Sequence, residues 1–269
     1  MSQQDLLSLH RLVTLQAMAV LWQYQTPDNR YEVRSAGRAR RLYTNGVFHS
    51  QYNPAQPVSG GVWDLLFLPA FFRPPGSIRR VLILGVGGGA VIRQLEHFIG
   101  PAEMVGVDLD TQHLDVARRY FGVSSERVSL QCADAGEWLQ AWRGEPFDLV
   151  VDDLFGEHEG EPVRAIDAKP RWFQRLLKVL APQGLLVMNF PTLQELRRCG
   201  YCTAPAVQRR FAAAYVFSVP RYENAVGAFL RGSAELRDLN RRLVQFPQLD
   251  RRRKGCRLRY RVRRLQAIV

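Results

Sequence analysis

The sequence predicts an α/β fold, a doubly wound and mostly parallel sheet that ends in an antiparallel strand pair and follows a small N-terminal β-hairpin unit. After residue 80, short apolar runs alternate with helix-like stretches, which is typical of a parallel sheet covered by helices on both faces. Near the carboxyl end, the apolar runs AAYVFSVP and AVGAFLRG are separated only by RYEN. A connection this short leaves no room for a crossover helix, so it predicts an antiparallel pair.

The elements of the sheet can be assigned in order along the chain. The predicted strands are VLILG, MVGVD, RVSLQ, FDLVVD and GLLVMNF, and the helices between them are AVIRQLEHF, TQHLDVARRYF, AGEWLQAW and PRWFQRLLKVL. This layout is Rossmann-like. Its antiparallel ending is that of class I methyltransferase-like folds, because dinucleotide-binding folds usually continue with parallel strands.

The N-terminal part predicts a helix and a small antiparallel unit. LVTLQAMAVLW has the spacing of an amphipathic helix, and Asp5 and Gln16 make a signal peptide the weaker interpretation. Asn45-Gly46 lies between apolar-rich runs and predicts a β-hairpin. FFRPPGSIRR, with its two prolines and a glycine, marks the joint to the sheet.

These boundaries divide the chain into three predicted parts. They are an N-terminal helix and small antiparallel β unit over residues 1–75, a Rossmann-like domain over 76–250, and a basic C-terminal strand or tail over 251–269.

Most of the positive charge lies in that C-terminal tail. The formal net charge is +12, and residues 251–269 contain nine Lys or Arg and no acid, which leaves +3 for the rest. In CRLRYRVRRL, arginines alternate with Leu, Tyr and Val, the period of a strand with one exposed face. Two interpretations stay open, contact with a nucleic acid such as RNA and a solvated edge strand whose arginines prevent edge-to-edge pairing.

Composition points to a cytoplasmic protein without a membrane segment. No apolar run reaches the roughly 18 residues that a membrane-spanning helix needs. Four cysteines are too few for a disulfide framework in a chain of 269 residues. Cys199 and Cys202 form a CxxC without a second pair or a nearby pair of histidines, so no metal site is predicted.

Glycines at the end of the first sheet strand predict a nucleotide-type ligand. In VLILGVGGGAVIRQL, they are Gly85, Gly87 and Gly89. Backbone without Cβ atoms can approach a ligand there, and the next helix offers free N–H groups and a positive dipole end. The same glycines satisfy the looser dinucleotide fingerprint, so alone they do not distinguish NAD from a nucleoside sulfonium.

Acidic residues end the next three strands on the same rim. Asp108 is placed to accept hydrogen bonds from both ribose hydroxyls, and Asp134 to accept one from an adenine amino group. Asp134 could instead cap the helix AGEWLQAW. The fourth strand ends in Asp152-Asp153. Because burying acids is costly, this row favours a ligand site, and its pattern favours an S-adenosyl ligand over NAD.

From about Leu42 to Gly232, these motifs resemble the spermidine synthase (polyamine aminopropyltransferase) family within the class I S-adenosylmethionine-dependent methyltransferase superfamily. LYTNGVFHSQYNPAQP is similar to its substrate-loop segment, VLILGVGGGAVIRQL to its glycine loop and VGVDLDTQHLDVARRYF to its ribose-binding strand and helix. The resemblance implies a small β unit on a Rossmann-like domain, and a homodimer.

The sequence departs from that family where the family's amine chemistry lies. Gly88 stands where the family has an Asp in the glycine loop, and His49 where it has a Gln. In the strand-four motif Asp153 is kept, while Gly156 replaces a second Asp. Without an acid at position 88, nothing repels the carboxylate of ordinary S-adenosylmethionine, which favours that form over the decarboxylated one.

We therefore expect first a spermidine-synthase-like methyltransferase of unknown acceptor that binds S-adenosylmethionine, with Asp153 orienting or deprotonating the acceptor. The alternative is aminopropyl transfer from decarboxylated S-adenosylmethionine to a polyamine, which needs carboxylates for the cationic acceptor and a base for its ammonium. Candidate substrate-binding residues are His49, Glu157 and His158. A third function, a non-catalytic nucleoside- or RNA-binding module, would use the arginine-rich tail.

Overall fold

The computed structural model describes residues 19–158 and 161–266, so the predicted N-terminal helix lies outside the described residues. The described chain begins with a four-stranded antiparallel sheet whose strands are adjacent in chain order. They are β1 (Val20–Gln25), β2 (Arg30–Ala36), β3 (Ala39–Thr44) and β4 (Val47–Tyr52). Asn45 and Gly46 both have positive φ, 52° and 82°, as a two-residue hairpin turn requires. The predicted hairpin is confirmed.

The central sheet has eight strands in the order β14-β12-β13-β11-β8-β5-β6-β7. Its first half, with the helices before and between its strands, is α1 (Val62–Phe67), a 3-10 helix (Leu68–Phe72), β5 (Arg80–Leu84), α2 (Ala90–Phe98), β6 (Glu103–Asp108), α3 (Thr111–Phe121), β7 (Val128–Cys132), α4 (Ala135–Ala141) and β8 (Phe147–Asp152). Strand β5 pairs in parallel with β6 and β8, and β6 pairs in parallel with β7.

The second half closes the sheet with antiparallel strands. A separate two-stranded hairpin, β9 (Phe155–His158) and β10 (Glu161–Arg164), comes first in the chain. The elements that follow are α5 (Pro170–Val179), β11 (Leu180–Phe190), α6 (Leu193–Arg197), α7 (Gly200–Thr203), α8 (Pro205–Gln208), β12 (Ala213–Ser218), β13 (Ala225–Leu230), α9 (Leu236–Leu243) and β14 (Arg261–Arg264). Strand β11 is parallel to β8, whereas β13 is antiparallel to both β11 and β12. The predicted fold class is confirmed.

Two apolar clusters cover the two faces of the central sheet, because successive side chains of a strand point to opposite faces. On β5, Val81 and Ile83 belong to the cluster beneath the N-terminal sheet, α2 and α3. Leu82 and Leu84 belong to the cluster beneath α4 and α5. The carboxyl ends of the parallel strands are thus fixed between two packed layers, and a rigid rim results.

The C-terminal strand is shorter than its alternating pattern predicts. Strand β14 covers only residues 261–264 and forms the edge of the central sheet, antiparallel to β12. Pairing begins between Arg261 and Ser218, the last residue of β12, so the residues before Arg261 have no partner strand. The alternation still reports burial, because Leu258 and Tyr260 are buried and Arg259 is exposed.

Two further features bear on the sequence analysis, the hairpin after Leu154 and the length of the helices. The stretch after Leu154, which carries the candidate substrate-binding residues Glu157 and His158, forms the antiparallel hairpin β9–β10, in which Glu157 pairs with Pro162. Among the helices of the described residues, none is long and apolar enough to cross a bilayer.

Candidate active site

The glycine loop between β5 and α2 is shaped by its neighbours in the fold. Gly85 has φ of 84°, and a Cβ atom there would collide with the backbone carbonyl of Asp153 at the end of β8. Gly87 and Gly89 also have positive φ, 52° and 79°. Gly85 therefore lets the ends of β5 and β8 come into contact, and Gly85 and Gly87 stay partly exposed at the rim.

Asp108 holds that loop from the end of β6. One of its carboxylate oxygens, Oδ2, accepts hydrogen bonds from the N–H groups of Val86 at 2.8 Å and Gly87 at 2.9 Å. Oδ1 accepts one from the N–H of Asp110 at 2.9 Å. Burial opposes ionisation, but the neighbouring His113 and hydrogen bonds from the backbone lower the pKa of Asp108 below its ordinary value. Asp108, the residue predicted to bind the ribose, is thus ionised, and it also orders the glycine loop.

His113 connects Asp108 to the N-terminal sheet. Its Nδ1 lies 3.8 Å from Oδ1 of Asp108, and its Nε2 lies 2.9 Å from the hydroxyl of Thr44 on β3. Burial lowers the pKa of His113, but the Asp108 carboxylate outweighs it and the pKa is raised. The hydroxyl of Tyr31 on β2 donates to Asp110 at 2.7 Å beside it. Sequence reasoning missed His113, although its place one helical turn past Asp108-Leu-Asp110 was a usable signal.

The predicted substrate residue His49 lies against this network. His49 lies on strand β4, and its ring centroid is 5.0 Å from that of His113. Burial, together with the neighbouring His113, lowers the pKa of His49 to about 4. The imidazole is therefore neutral at physiological pH, so it can accept or donate a hydrogen bond but cannot bind a carboxylate as a cation.

Asp153, the predicted catalytic residue, is held at the rim by two asparagines that the sequence analysis missed. The amide of Asn189 donates to Oδ1 of Asp153 at 2.8 Å, and the amide of Asn224 donates to Oδ1 of Asn189 at 3.2 Å. Burial raises the pKa of Asp153 to about 6, while Asn189 opposes the shift. Asn189 lies at the end of β11, the strand GLLVMNF of the sequence analysis. A search for polar residues at the end of this strand too would have found it.

Asp152, next to Asp153, points to the other side of the strand and has a different role. Its side chain is fully buried, and both oxygens accept hydrogen bonds from the guanidinium of Arg164, at 3.0 and 2.9 Å. The indole N–H of Trp172 donates a third at 2.7 Å. Arg164 lies on β10 and also donates to the backbone carbonyl of Asn189 at 2.5 Å. This buried ion pair fastens the β9–β10 hairpin to the sheet.

The remaining predicted residues are spread along the rim. Asp134 caps α4 by accepting a hydrogen bond from the N–H of Glu137 at 2.9 Å, as one of the two sequence interpretations proposed. Its contact with an adenine amino group stays a prediction. Glu157 is exposed on β9 and forms no side-chain hydrogen bond within the described part of the chain. The side chain of His158 lies outside the described residues.

Gly88 fits its surroundings because a phenyl ring fills the space beside it. A Cβ atom at Gly88 would lie 2.6 Å from Cζ of Phe121, the buried last residue of α3. Any larger side chain at position 88 would have to displace that ring. The absence of an acid in the glycine loop is therefore built into the packing of this chain. Within residues 19–158 and 161–266, no group of three or more potential metal ligands is found.

Comparisons with known proteins agree with this geometry. A family model described as a methyltransferase domain matches residues 81–184. Polyamine aminopropyltransferase 2 of Caldanaerobacter subterraneus is 29% identical over 143 residues, which are 52% of this chain and 47% of the relative. Thermospermine synthase ACAULIS5 of Arabidopsis thaliana is 28% identical over 200 residues, 70% of this chain and 56% of the relative. The chain thus spans about half the length of these curated relatives.

The solved structures share the fold. A probable spermidine synthase from Corynebacterium glutamicum superposes with a TM-score of 0.70 at 18% identity, covering 91% of each chain. The spermidine synthase from Thermotoga maritima gives a TM-score of 0.63 at 14% identity, covering 84% of this chain and 78% of that chain. The chain is thus similar in sequence to polyamine aminopropyltransferases and shares its fold with spermidine synthases.

The expectation that this spermidine-synthase-like chain is a methyltransferase of unknown acceptor is wrong. Relatives found by sequence are named polyamine aminopropyltransferase and thermospermine synthase, which favours the alternative. The physical error concerned Gly88. Loss of an acid removes a repulsion, but it supplies no group that binds the carboxylate of ordinary S-adenosylmethionine, and Phe121 explains the glycine by packing.

We predict that Arg164→Met lowers the free energy of unfolding by about 3–5 kcal/mol, because it leaves the Asp152 carboxylate buried without its partner. Urea unfolding measures the loss. Arg171→Met, an exposed arginine on α5, is the control and should change the stability by less than about 0.5 kcal/mol. Equal effects of the two variants would contradict a structural ion pair at Asp152.

Asp153→Asn should stabilise the protein in a pH-dependent way. The folded pKa of Asp153, about 6, exceeds the ordinary value of 3.8, so the folded state binds the proton more tightly than the unfolded state. Wild-type stability from this group is present at low pH and is lost as pH rises from about 4 to 6. The variant should be more stable than wild type by up to about 3 kcal/mol at pH 7.5, and little different at pH 4. An equal gain in unfolding free energy at pH 4 and pH 7.5 would show that the pKa of Asp153 is not raised in the folded state.

Gly88→Asp should destabilise the protein by about 1–3 kcal/mol through its collision with Phe121. Phe121→Ala should cost about 3–5 kcal/mol on its own, because it opens a cavity. The double variant should lose less than the two single losses added, since the new side chain enters the vacated space. Strict additivity in the unfolding free energies would show that the two positions do not compete for space.

Proposed function

We propose that the chain is a polyamine aminopropyltransferase that moves the aminopropyl group of decarboxylated S-adenosylmethionine to an amine acceptor. The observation that carries the proposal is Asp153, a carboxylate with a pKa of about 6 held by Asn189 where the ends of β5 and β8 meet. A carboxylate with this pKa is ionised at physiological pH, yet it is basic enough to take a proton from a bound ammonium. The names of the relatives support the same reaction.

The residues at the rim suit an adenosine bearing a sulfonium. Asp108 is ionised and lies at the end of β6, where its oxygens can accept hydrogen bonds from ribose hydroxyls while they hold the glycine loop. Asp134 lies at the end of the neighbouring strand and can accept from an adenine amino group. Gly85 and Gly87 leave the backbone open to the sulfonium end.

The chemistry needs one base and a correct alignment. Asp153 accepts a proton from the acceptor ammonium, and the freed amine nitrogen forms a bond to the aminopropyl carbon attached to sulfur. The carbon–sulfur bond breaks, and sulfur keeps the electron pair as a neutral thioether. Because the sulfonium is already a good leaving group, most of the rate enhancement comes from holding the nitrogen and carbon in line. Asn189 fixes the direction in which Asp153 presents its oxygen.

A polyamine acceptor carries further positive charges that need anionic surroundings. Asp152 cannot supply them, because Arg164 neutralises it. Glu157, exposed on the hairpin that follows Asp153, is our candidate for the distal ammonium. His49 is neutral and suits a hydrogen bond to the acceptor or to the ribose side of the site. We keep His158 as a candidate substrate-binding residue because it lies on the same hairpin.

The test is turnover with decarboxylated and ordinary S-adenosylmethionine against a panel of linear diamines and triamines, followed by release of the adenosine thioether. We expect product from the decarboxylated donor, with a rate that rises as pH passes about 6. Asp153→Asn should lower kcat by about 10²- to 10⁴-fold. Asp115→Asn, the same change at an acid on the surface of α3, is the control and should keep the wild-type rate.

Two results would contradict the proposal. The first is full activity in Asp153→Asn, which would exclude Asp153 as the base. The second is the absence of product with every amine in the panel while the folded protein still binds the decarboxylated donor.

A further inference from the structure

Three polar side chains form a row across β8, β11 and β13 at the rim of the central sheet. Strand β11 pairs in parallel with β8, and one step beyond their last paired residues Asn189 lies beside Asp153. Strand β11 pairs antiparallel with β13, and there Asn189 lies opposite Val226. Asn224 precedes Val226 by two residues, so it is a diagonal neighbour of Asn189 on the same face. The register of three strands thus brings the row together.

The row lies on the face of the sheet that the N-terminal unit covers. Val151 and Val187 precede Asp153 and Asn189 by two residues and belong to the apolar cluster beneath the N-terminal sheet, as does Val226. Because side chains alternate along a strand, residues two apart share a face. The carboxylate and the two amides therefore meet on one side of the sheet.

The hydrogen bonds along the row run in one direction. The amide nitrogen of Asn224 donates to Oδ1 of Asn189 at 3.2 Å. The amide nitrogen of Asn189 donates in turn to Oδ1 of Asp153 at 2.8 Å. The amide that meets the carboxylate therefore has its own oxygen engaged by a second amide.

The main chain of Asn189 is fixed, but its side-chain amide has two possible orientations. Pairing with β13 holds the backbone, and the backbone carbonyl accepts a hydrogen bond from Arg164 at 2.5 Å. Rotation of the amide by 180° would exchange its oxygen with its nitrogen. The amide oxygen would then face Asp153, and two oxygens share a hydrogen bond only if the carboxyl group is protonated. A donor at Oδ1 of Asn189 therefore favours the orientation that suits an ionised Asp153.

We propose that Asn224 is a positioning residue for Asp153, because it fixes the amide of Asn189 with its N–H side toward that carboxylate. The connection between β12 and β13 holds Asn224 in place, since the next residue, Ala225, pairs with both β11 and β12. The inference rests on the proposed function for its catalytic consequence. A base must be ionised before it can accept a proton, and the orientation that Asn224 selects favours the ionised form.

Charged groups around Asp153 act on its pKa as well. Burial and the carboxylates of Asp152 and Asp108 raise the pKa, whereas the hydrogen bond from Asn189 and the charge of Arg164 lower it. A substitution of the last residue of the β12–β13 connection leaves all these charges in place. A change in the pKa of Asp153 therefore reports the orientation of the amide.

The test follows the titration of Asp153 by its carboxyl-carbon NMR signal, which is identified by its loss in Asp153→Asn. We expect a wild-type midpoint at about 6. Asn224→Ala should raise the midpoint by about half a pH unit or more, because Asn189 can then turn its oxygen toward the carboxylate. Asn189→Ala should raise it at least as far, and adding Asn224→Ala to that variant should have no further effect.

Glu223→Ala is the control, since it truncates the exposed neighbour in the same connection and should keep the wild-type midpoint. Circular dichroism confirms that each variant is folded. A wild-type midpoint in Asn224→Ala would overturn the proposal. An equal upward shift from Asn224→Ala with and without the Asn189 side chain would overturn it too, because Asn224 would then not act through Asn189.

Turnover gives a second and separate measurement. If Asp153 is the base, the rise of kcat/KM with pH should move upward in Asn224→Ala by the same amount as the NMR midpoint. The NMR titration needs no turnover, so a folded wild-type protein without activity would contradict the proposed function alone. A midpoint that moves in an active enzyme whose pH profile does not would support the positioning role and exclude Asp153 as the base.

Discussion

The site depends on one buried carboxylate, that of Asp108. It receives hydrogen bonds from the glycine loop on one side and faces His113 on the other, and His113 reaches the N-terminal sheet through Thr44. A buried charge is tolerated only where several donors replace the lost water. The same donors that keep Asp108 ionised therefore fix the distance between the glycine loop, the strand β6 and the small β unit that covers them.

The two adjacent acids at the end of β8 show how strand geometry separates structure from chemistry. Because neighbouring side chains on a strand point to opposite faces, Asp152 enters the core and Asp153 faces the rim. Asp152 is neutralised by Arg164 and stabilises the hairpin attachment. Within the described residues, the side-chain donor to Asp153 is the neutral amide of Asn189, and burial raises the pKa of Asp153 toward the range useful for a base. The ion pair at Asp152 thus leaves Asp153 as a titratable acid at the rim.

The fold could be predicted from the sequence because its signals are local. The alternation of strands and helices, the Asn45-Gly46 turn and the short RYEN connection each determine backbone structure within a few residues. The contacts that complete the site are not local. Arg164 reaches Asp152 across a hairpin, and Asn224 reaches Asn189 from a different strand connection, so no spacing in the sequence reveals either pair.

Gly88 illustrates why the absence of a residue is weak evidence for a function. Considered as a missing carboxylate, it suggested a donor with a carboxylate of its own. In the structure, the ring of Phe121, the last residue of α3, fills the space next to Gly88. This contact accounts for the glycine without any ligand. Substrate preference follows from groups that are present and oriented. In this chain those groups are an ionised Asp108, an Asp153 whose pKa is raised by burial and a neutral His49, and none of them supplies the cation that the carboxylate of ordinary S-adenosylmethionine would require.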